Sequence, residues 1–332
     1  MQELTLLIGN GINRLGNKQG PSWGQLLNSI QKSIGKEIDL NNDFKPFPMA
    51  FEEMLLTNCN NYEARLKSFK KGISEAFLAA KPNDFHRQIV NSKYVKNIFT
   101  TNYDYGFERV LISDFSNLKK NETTHITKEI KYSLRRKNEI ESKSIWHIHG
   151  EIYDPKTFNK EKKRFKEESI LIGYEHYSES LKVLQDYKNG RNNWAQTPLK
   201  TKLNDNAGLG SAWIDYFFTS ELLIFGLDLG FSEIDLWWVL NYRARLFSEY
   251  RTKSARPNSF RNSKIRYFYP KITKKSIAEM EISDNEKEKI KRDLDKMKAR
   301  ADLLRAFAVE IEEIPCKDYE NFFQKIINNN LN

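Results

Sequence analysis

The stretch Leu4-Thr5-Leu6-Leu7-Ile8-Gly9-Asn10-Gly11 decides the fold of this chain. Its first five residues form a nearly continuous apolar run, which is typical of a strand buried on both faces of a parallel sheet. Two glycines follow at once and allow a tight turn at the carboxyl end of the strand. We therefore expect an α/β fold, with a Rossmann-like parallel sheet and helices on both of its faces.

Three later strings repeat this arrangement of an apolar run that ends in polar residues or glycine. They are Thr100-Thr101-Asn102-Tyr103-Asp104, His147-Ile148-His149-Gly150 and Leu223-Ile224-Phe225-Gly226-Leu227-Asp228-Leu229. In an open parallel sheet the carboxyl ends of the strands lie at one edge, where ligands bind. The four strings are therefore predicted to meet at one ligand crevice.

Helical and polar segments separate these strands. Apolar residues at helical spacing predict a helical insertion over about 21–92, and a second, polar and helical insertion is expected over about 151–210. Residues 113–143 predict a hairpin or an exposed loop, and residues 189–208, rich in Asn, Lys and Gly, predict a loop. No Pro/Gly/Ser linker divides the chain, so we expect one domain over 1–332.

A helix is predicted after the last of the four strings. Ser232 and the acidic Asp235, three residues later, resemble a capping box at its start. Its apolar face is expected to contain Ile234, Trp237, Trp238 and Phe247.

Composition excludes several classes of protein. The 332 residues include only two cysteines, Cys59 and Cys316, so a Cys₄ zinc ribbon cannot form within the chain and no metal is expected. No apolar run reaches the length of about 18 residues that a membrane span needs, so no membrane contact is expected. Few cysteines also favour a cytoplasmic protein. The net charge of +10 is compatible with nucleic acid or an acidic partner, but it is weak support by itself.

The first and second strings offer candidate ligand contacts, each with a plainer alternative. Arg14 occupies the position of the third glycine of the dinucleotide fingerprint, so that signature fails. Gly9 and Gly11 would still let the backbone approach a pyrophosphate, although an ordinary turn explains them equally well. The Asn102 carboxamide could orient a sugar hydroxyl or a water, with Asp104 as an acceptor beside it, but a simple Asx turn is the alternative.

The third and fourth strings carry ionisable groups. His149 is placed for proton transfer near neutral pH, and the glycine after it leaves room for a ligand. His147 is interpreted as structural. Asp228 could accept a hydrogen bond from a ribose hydroxyl or could cap the loop that follows it.

The order of these motifs resembles the SIR2 (sirtuin-like) superfamily, and especially the zinc-free SIR2-like domains of bacterial anti-phage defence. Sirtuins show a Gly-Ala-Gly-x-Ser loop, a Thr-Gln-Asn-x-Asp string, a His-Gly pair and a late Gly-x-Ser-Leu turn. The similar stretches here are Gly9–Asn13, Thr100–Asp104, His149-Gly150 and Gly226–Leu229. Asp228 stands where the family has serine. The missing zinc ribbon makes a protein deacylase the least favoured activity.

The resemblance implies an NAD glycohydrolase, with NAD as its substrate and with nicotinamide and ADP-ribose, or a cyclised form, as its products. It implies catalytic roles for Asn102, which would orient the nicotinamide ribose and a water, for His149 as general base, and for Asp104 in charge stabilisation. The residues implied to bind NAD are Gly9, Asn10, Gly11, Ile12, Asn13, Thr101, Gly226 and Asp228.

The resemblance also implies partners. Uncontrolled NAD cleavage would harm the host, so we expect an anti-phage effector that is activated by assembly, as a homo-oligomer or with a separate protein such as a HerA-type ATPase.

Two rival hypotheses remain at this point. Residues 243–275 contain eleven basic residues with interleaved aromatics and a single acid, Glu249, which could track a nucleic-acid backbone. The alternative is a solvated basic face with one buried strand. The second rival is a sensor that binds NAD or ADP-ribose without turning it over.

Overall fold

A computed structural model describes residues 3–16, 20–21, 23–33, 45–78, 80–112, 132, 134–152, 170–251, 257, 260 and 263–331. Across these ranges seven strands form one sheet in the order β3-β4-β2-β1-β5-β6-β7. The strands are β1 Leu4–Ile8, β2 Val95–Thr100, β3 Lys137–Ile140, β4 Lys143–His147, β5 Glu221–Phe225, β6 Lys264–Ile272 and β7 Glu310–Cys316. Only β3 pairs antiparallel, as a hairpin with β4, and every other neighbouring pair is parallel.

The order of the strands reverses at β1. The chain runs outward through β2 and β4 on one side, then returns to place β5 on the other side of β1. The register brings Ile8 opposite both Thr100 and Phe225, and Thr100 opposite His147. The loops after these four strands therefore begin at one level, and the crevice between β1 and β5 is the topological switch point where such folds bind ligands.

Helices cover both faces of the sheet. Their bounds are α1 Trp23–Ser33, α2 Phe47–Leu56, α3 Tyr62–Leu78, α4 Asp84–Asn91, α5 Glu108–Leu111, α6 Tyr174–Asn189, α7 Leu199–Asp205, α8 Trp213–Thr219, α9 Ile234–Arg251, α10 Lys274–Ala278, α11 Asp284–Ala306 and α12 Tyr319–Asn330. A short 3₁₀ turn, Ile12–Arg14, follows β1 and its glycines.

The apolar residues of the sheet alternate between two cores. In β1, Leu7 packs with α8 and α9, whereas Leu6 and Ile8 pack with α4 and α12. This two-sided burial explains why the strand sequence is continuously apolar. The helices α1, α2 and α3 form a third core of their own, which includes Tyr103 from the loop after β2.

The predicted α/β fold with a mostly parallel sheet is confirmed. Two local predictions need correction or restriction. Residues 189–208 are not only loop, because Leu199–Asp205 forms α7 with the buried Leu199 and Leu203 against the core. Residues 113–143 were predicted to form a hairpin or an exposed loop. Their described part contains β3, which forms a hairpin with the core strand β4 that follows this stretch. Residues 113–131 and 133 lie outside the described residues, as do 153–169 of the second insertion. Among the described helices, none combines the length and the apolar character that a membrane crossing requires.

Candidate functional site

A cavity of about 320 Å³ lies at the carboxyl edge of the sheet. Loops after four neighbouring strands contribute to its wall: Asn10 and Gly11 after β1, Thr101 after β2, His149 after β4, and the segment 226–233 after β5. The predicted meeting of these loops is therefore present in the structure. The volume lies at the lower end of the range for ligand pockets, about 300–1,000 Å³, so a dinucleotide would place only part of its length inside.

Most of the other lining residues are apolar or aromatic. They are Phe47, Phe268, Met297, Tyr319, Phe322 and Phe323. No lysine or arginine is among the described residues that line the cavity. The ionisable side chains in its wall are His149, Tyr177, Asp228, Glu233 and Tyr319, so the cavity favours a ligand group that carries positive charge.

His149 is held by two carboxylates from the amino end of α9. Its Nε2 lies 3.1 Å from Oδ2 of Asp235 and 3.5 Å from Oε2 of Glu233. The side chain of Asp235 is fully buried, that of His149 nearly so, and that of Glu233 is 19% exposed. We call these three residues the carboxylate–histidine triad.

The triad sets the charge of the site. Burial alone would lower the pKa of His149, but the carboxylates of Asp235 and Glu233 outweigh burial and raise it to about 9. Burial raises the pKa of Glu233 to about 7, against the opposing effect of His149 and with the repulsion of Asp235 and Asp228. At neutral pH the imidazole is therefore cationic and paired with Asp235, while Glu233 is poised between its two protonation states.

Sequence reasoning missed Glu233 and Asp235 as site residues. It interpreted Asp235 as part of a capping box, but α9 begins at Ile234 and the Asp235 carboxylate accepts from Leu236 N and contacts His149. The predicted apolar face was also wrong: Ile234, Trp237, Trp238 and Phe247 are only partly buried, and the buried face contains Leu236, Val239, Leu240 and Leu246. The signal that could have found the pair is two acids directly after the fourth strand-end loop.

Donor atoms of the triad lie within 4.8 Å of one another, a spacing that would also admit a cation. His149 Nε2 already forms a hydrogen bond to Asp235, so we interpret the group as one that shares protons.

The glycines of the first and fourth loops let two backbones approach each other. Gly11 N donates to Gly226 O at 2.9 Å, and a Cβ at Gly11 would lie 2.6 Å from that oxygen. Gly226 has φ +64° and packs under the ring of Phe323. The amides of Ile12 and Asn13 point to the carbonyls of Gly9 and Asn10. The space that these glycines leave is therefore filled by the contact between the two loop backbones. Within Gly9–Asn13, the residues that line the cavity are Asn10 and Gly11.

Asn102 is not itself among the residues that line the cavity. It follows Thr101, which lines the cavity, and its Nδ2 donates to Gly9 O at 3.3 Å. Its Oδ1 is buried and has no hydrogen-bond partner among the described residues. An unsatisfied buried carbonyl is costly and calls for a partner, such as a water or a ligand hydroxyl.

Asp104 anchors the first loop to the second. Its Oδ2 accepts from Asn13 Nδ2 at 2.6 Å, and its Oδ1 accepts from Gly106 N at 2.8 Å. Burial raises the pKa of Asp104, and the bonds from Asn13 and Gly106 oppose that shift. Asp104, Asn13, Gly9 and Ile12 are not among the residues that line the cavity.

The interpretation of His147 as structural fits its contacts. Its Nε2 lies 2.7 Å from Oε1 of Glu108, and its Nδ1 donates to Asn102 O at 3.1 Å. Burial lowers the pKa of His147, but Glu108 more than compensates and the pKa rises to about 9. The buried His147–Glu108 pair thus supports the loop that carries Asn102.

Asp228 lines the cavity and pairs with Arg300 of α11, which also donates to its backbone oxygen. The acid predicted to bind a ribose hydroxyl is therefore engaged by a cation at the rim.

The basic stretch 243–275 does not form a continuous free face. Arg243 is buried and donates to the carbonyls of Phe217 and Ser263. Ion pairs join Lys264, Arg266 and Lys271 to Glu310, Glu312 and Glu313 of β7. The aromatic residues Tyr250, Phe260, Tyr267, Phe268 and Tyr269 are buried. Lys253, Arg256 and Arg261 lie outside the described residues. These contacts favour the alternative interpretation, a solvated face with a buried strand.

Comparison with protein-family models matches residues 96–227 to the SIR2-like domain. The matched range runs from β2 to the loop after β5 and includes Thr101, Asn102, His149 and Gly226. It supports a SIR2-like domain protein, and SIR2-like domains use NAD. A search of curated proteins found no match.

Proposed function

We propose that this protein is an NAD glycohydrolase, which cleaves NAD to nicotinamide and ADP-ribose. The observation that carries the proposal is the convergence of four strand-end loops on one cavity, with the carboxylate–histidine triad in its wall. The SIR2-like match, which includes the loops after β2 and β4 and the start of the loop after β5, supports NAD as the ligand.

The charge of the cavity suits this reaction. Nicotinamide in NAD is a cationic leaving group, and breaking its bond to ribose spreads positive charge over the sugar. A site with two carboxylates and no lining lysine or arginine in the described part of its wall stabilises that charge. The same acids would repel a pyrophosphate. We therefore place the nicotinamide ribose beside the triad and the pyrophosphate toward Asn10, at the first loop.

Asn102 and His149 are proposed to flank the ribose. The unsatisfied Asn102 Oδ1 would accept a hydrogen bond from a ribose hydroxyl or from the attacking water. His149 would contact the ribose hydroxyls. Because its raised pKa keeps the imidazole protonated at neutral pH, it can act as a base only by passing a proton to a neighbouring carboxylate. Asp104 would act through Asn13, since it does not reach the cavity wall.

We further propose that the protein is an effector of anti-phage defence in the cytoplasm that assembly activates. The chain would form a homo-oligomer or bind a partner such as a HerA-type ATPase, as the motif resemblance implies. An isolated monomer that cleaves NAD at full rate would contradict this regulation.

The test is nicotinamide release from NAD by the purified chain at high concentration, alone and with candidate partners. Asn102→Ala and His149→Ala should each lower turnover by at least about 10²-fold while still folding, because positioned proton-transfer groups typically contribute about 10²–10⁴-fold. The exposed Asn60→Ala serves as a control and should have no effect.

Three other outcomes of this assay would change the proposal. Wild-type turnover by both site variants would remove the residue assignment. NAD binding without nicotinamide release would replace the enzyme by a sensor, and a cyclic product would replace hydrolysis by cyclisation.

A further inference from the structure

We propose that Glu233 is a further catalytic residue, which takes the proton of the attacking water, and that Asp235 is a positioning residue for His149. This inference rests on the proposed NAD cleavage and assigns the base of that reaction to a carboxylate outside the segment that matches the SIR2-like domain.

The two acids differ in what they can reach. Asp235 is fully buried, holds His149 Nε2 at 3.1 Å and does not line the cavity. Glu233 lines the cavity, and its side chain is 19% exposed. Its Oε2 has no hydrogen-bond partner among the described residues and lies 3.5 Å from His149 Nε2. Glu233 therefore keeps an acceptor available for a ligand or a water, whereas the carboxylate of Asp235 already accepts from His149 and from Leu236 N.

The charged groups around Glu233 also distinguish its role from that of Asp235. The groups that act on it electrostatically are His149, Asp228 and Asp235, and Glu233 in turn acts on the phenols Tyr103 and Tyr177. The His149 cation and the Asp235 anion cancel each other. An ionised Glu233 then gives the triad a net charge of about −1, which stabilises a cationic ribose. Because Asp235 stabilises the protonated form of His149, the imidazole already carries its proton, and Glu233 is the neighbouring group at the cavity wall that can take one.

The proposed step is balanced within the substrate, water and Glu233. The bond between the ribose anomeric carbon and the pyridinium nitrogen breaks, and its electron pair neutralises the nicotinamide ring. The water oxygen forms a bond to the same carbon. The proton that this water loses moves to the carboxylate of Glu233 and then to solvent, which leaves nicotinamide and ADP-ribose.

The test is chemical rescue of Glu233→Gln, which keeps the shape of the side chain and removes its basicity. Turnover of NAD should fall by about 10²–10⁴-fold, the usual value of a general base, with KM changed by less than about threefold. Azide is an anionic nucleophile with no proton to lose. Its addition should restore turnover to within about tenfold of wild type and form an azide adduct of ADP-ribose.

Two further variants sharpen the result. Asp235→Asn should also lower turnover, but azide should not rescue it, because the fault lies in the placement of His149. Glu249→Gln is the matched control. Glu249 lies on α9, as Asp235 does, and its partly exposed side chain pairs with Lys200. It should leave turnover unchanged. Thermal unfolding and NAD binding by calorimetry check that Glu233→Gln is folded and binds substrate.

Unchanged turnover in Glu233→Gln, or a loss that azide does not rescue, would overturn this inference while wild-type cleavage of NAD stands. A wild-type protein that binds NAD but releases no nicotinamide in any assembly would instead refute the proposed function, and the inference would fail with it.

Discussion

Replacing Asp235 by Asn removes the buried anion that holds His149 in its charged form. A pKa of about 9 for His149, against an ordinary value of 6.5, corresponds to about 3 kcal/mol of stabilisation of the folded protein at low pH. Both side chains are almost completely buried, so solvent screens little of this energy. Asp235 is the larger of the two carboxylate effects on His149 and Glu233 the smaller. Asp235→Asn should therefore lower the free energy of unfolding by up to about 3 kcal/mol at about pH 6.

The sign of the pH dependence follows from the raised pKa. A group whose pKa is higher in the folded state adds stability that is complete below its unfolded pKa, about 6.5, and is lost as pH rises through about 9. At about pH 10, His149 is neutral in both proteins, and Asp235→Asn should then cost no more than one neutral hydrogen bond, about 1 kcal/mol.

The assay is urea unfolding of the wild type, Asp235→Asn, His149→Ala and the double variant at both pH values. This double-mutant cycle isolates the coupling between the two side chains from other groups that titrate, including His147. A coupling below about 1 kcal/mol at low pH, or one that does not change with pH, would refute the charged pair on which the site's electrostatics depend.

Two other substitutions test the scaffold of the site. Gly226→Ala should lower the free energy of unfolding by about 2 kcal/mol or more, because φ is +64° and the new Cβ would lie 2.5 Å from the Phe323 ring. Gly72→Ala, in α3 with open space around it, should instead be neutral or stabilising by about 1 kcal/mol in the same urea assay. His147→Ala leaves Glu108 buried without its cation and should cost about 3–5 kcal/mol at neutral pH. A loss below about 1 kcal/mol, measured by urea unfolding, would contradict a charged His147–Glu108 pair.

The strands of the sheet were predictable from the sequence because burial on both faces requires a continuous run of apolar residues. Leu4–Ile8 and the apolar part of β5 need no distant residue to explain them. The common edge for Asn10, Thr101 and His149 then followed from the geometry of parallel strands.

The partners of the site residues were not predictable in this way. Asp235 lies 86 positions from His149 in the chain, and Asp104 lies 91 positions from Asn13. An acid at a helix start has the same local pattern whether it caps the helix, as Asp318 does in α12, or turns inward to a histidine, as Asp235 does in α9.

The basic stretch 243–275 shows the same limit. Its basic composition is evident from the sequence, but only the pairing of β6 with β7 places Glu310, Glu312 and Glu313 beside its lysines and arginine.

The sequence by itself therefore determined the strands, the sheet class and the loops that form the cavity, because hydrophobic burial acts on neighbouring residues. Tertiary structure alone decided the charges in the cavity, because ionisation depends on burial and on groups that folding brings within a few ångströms.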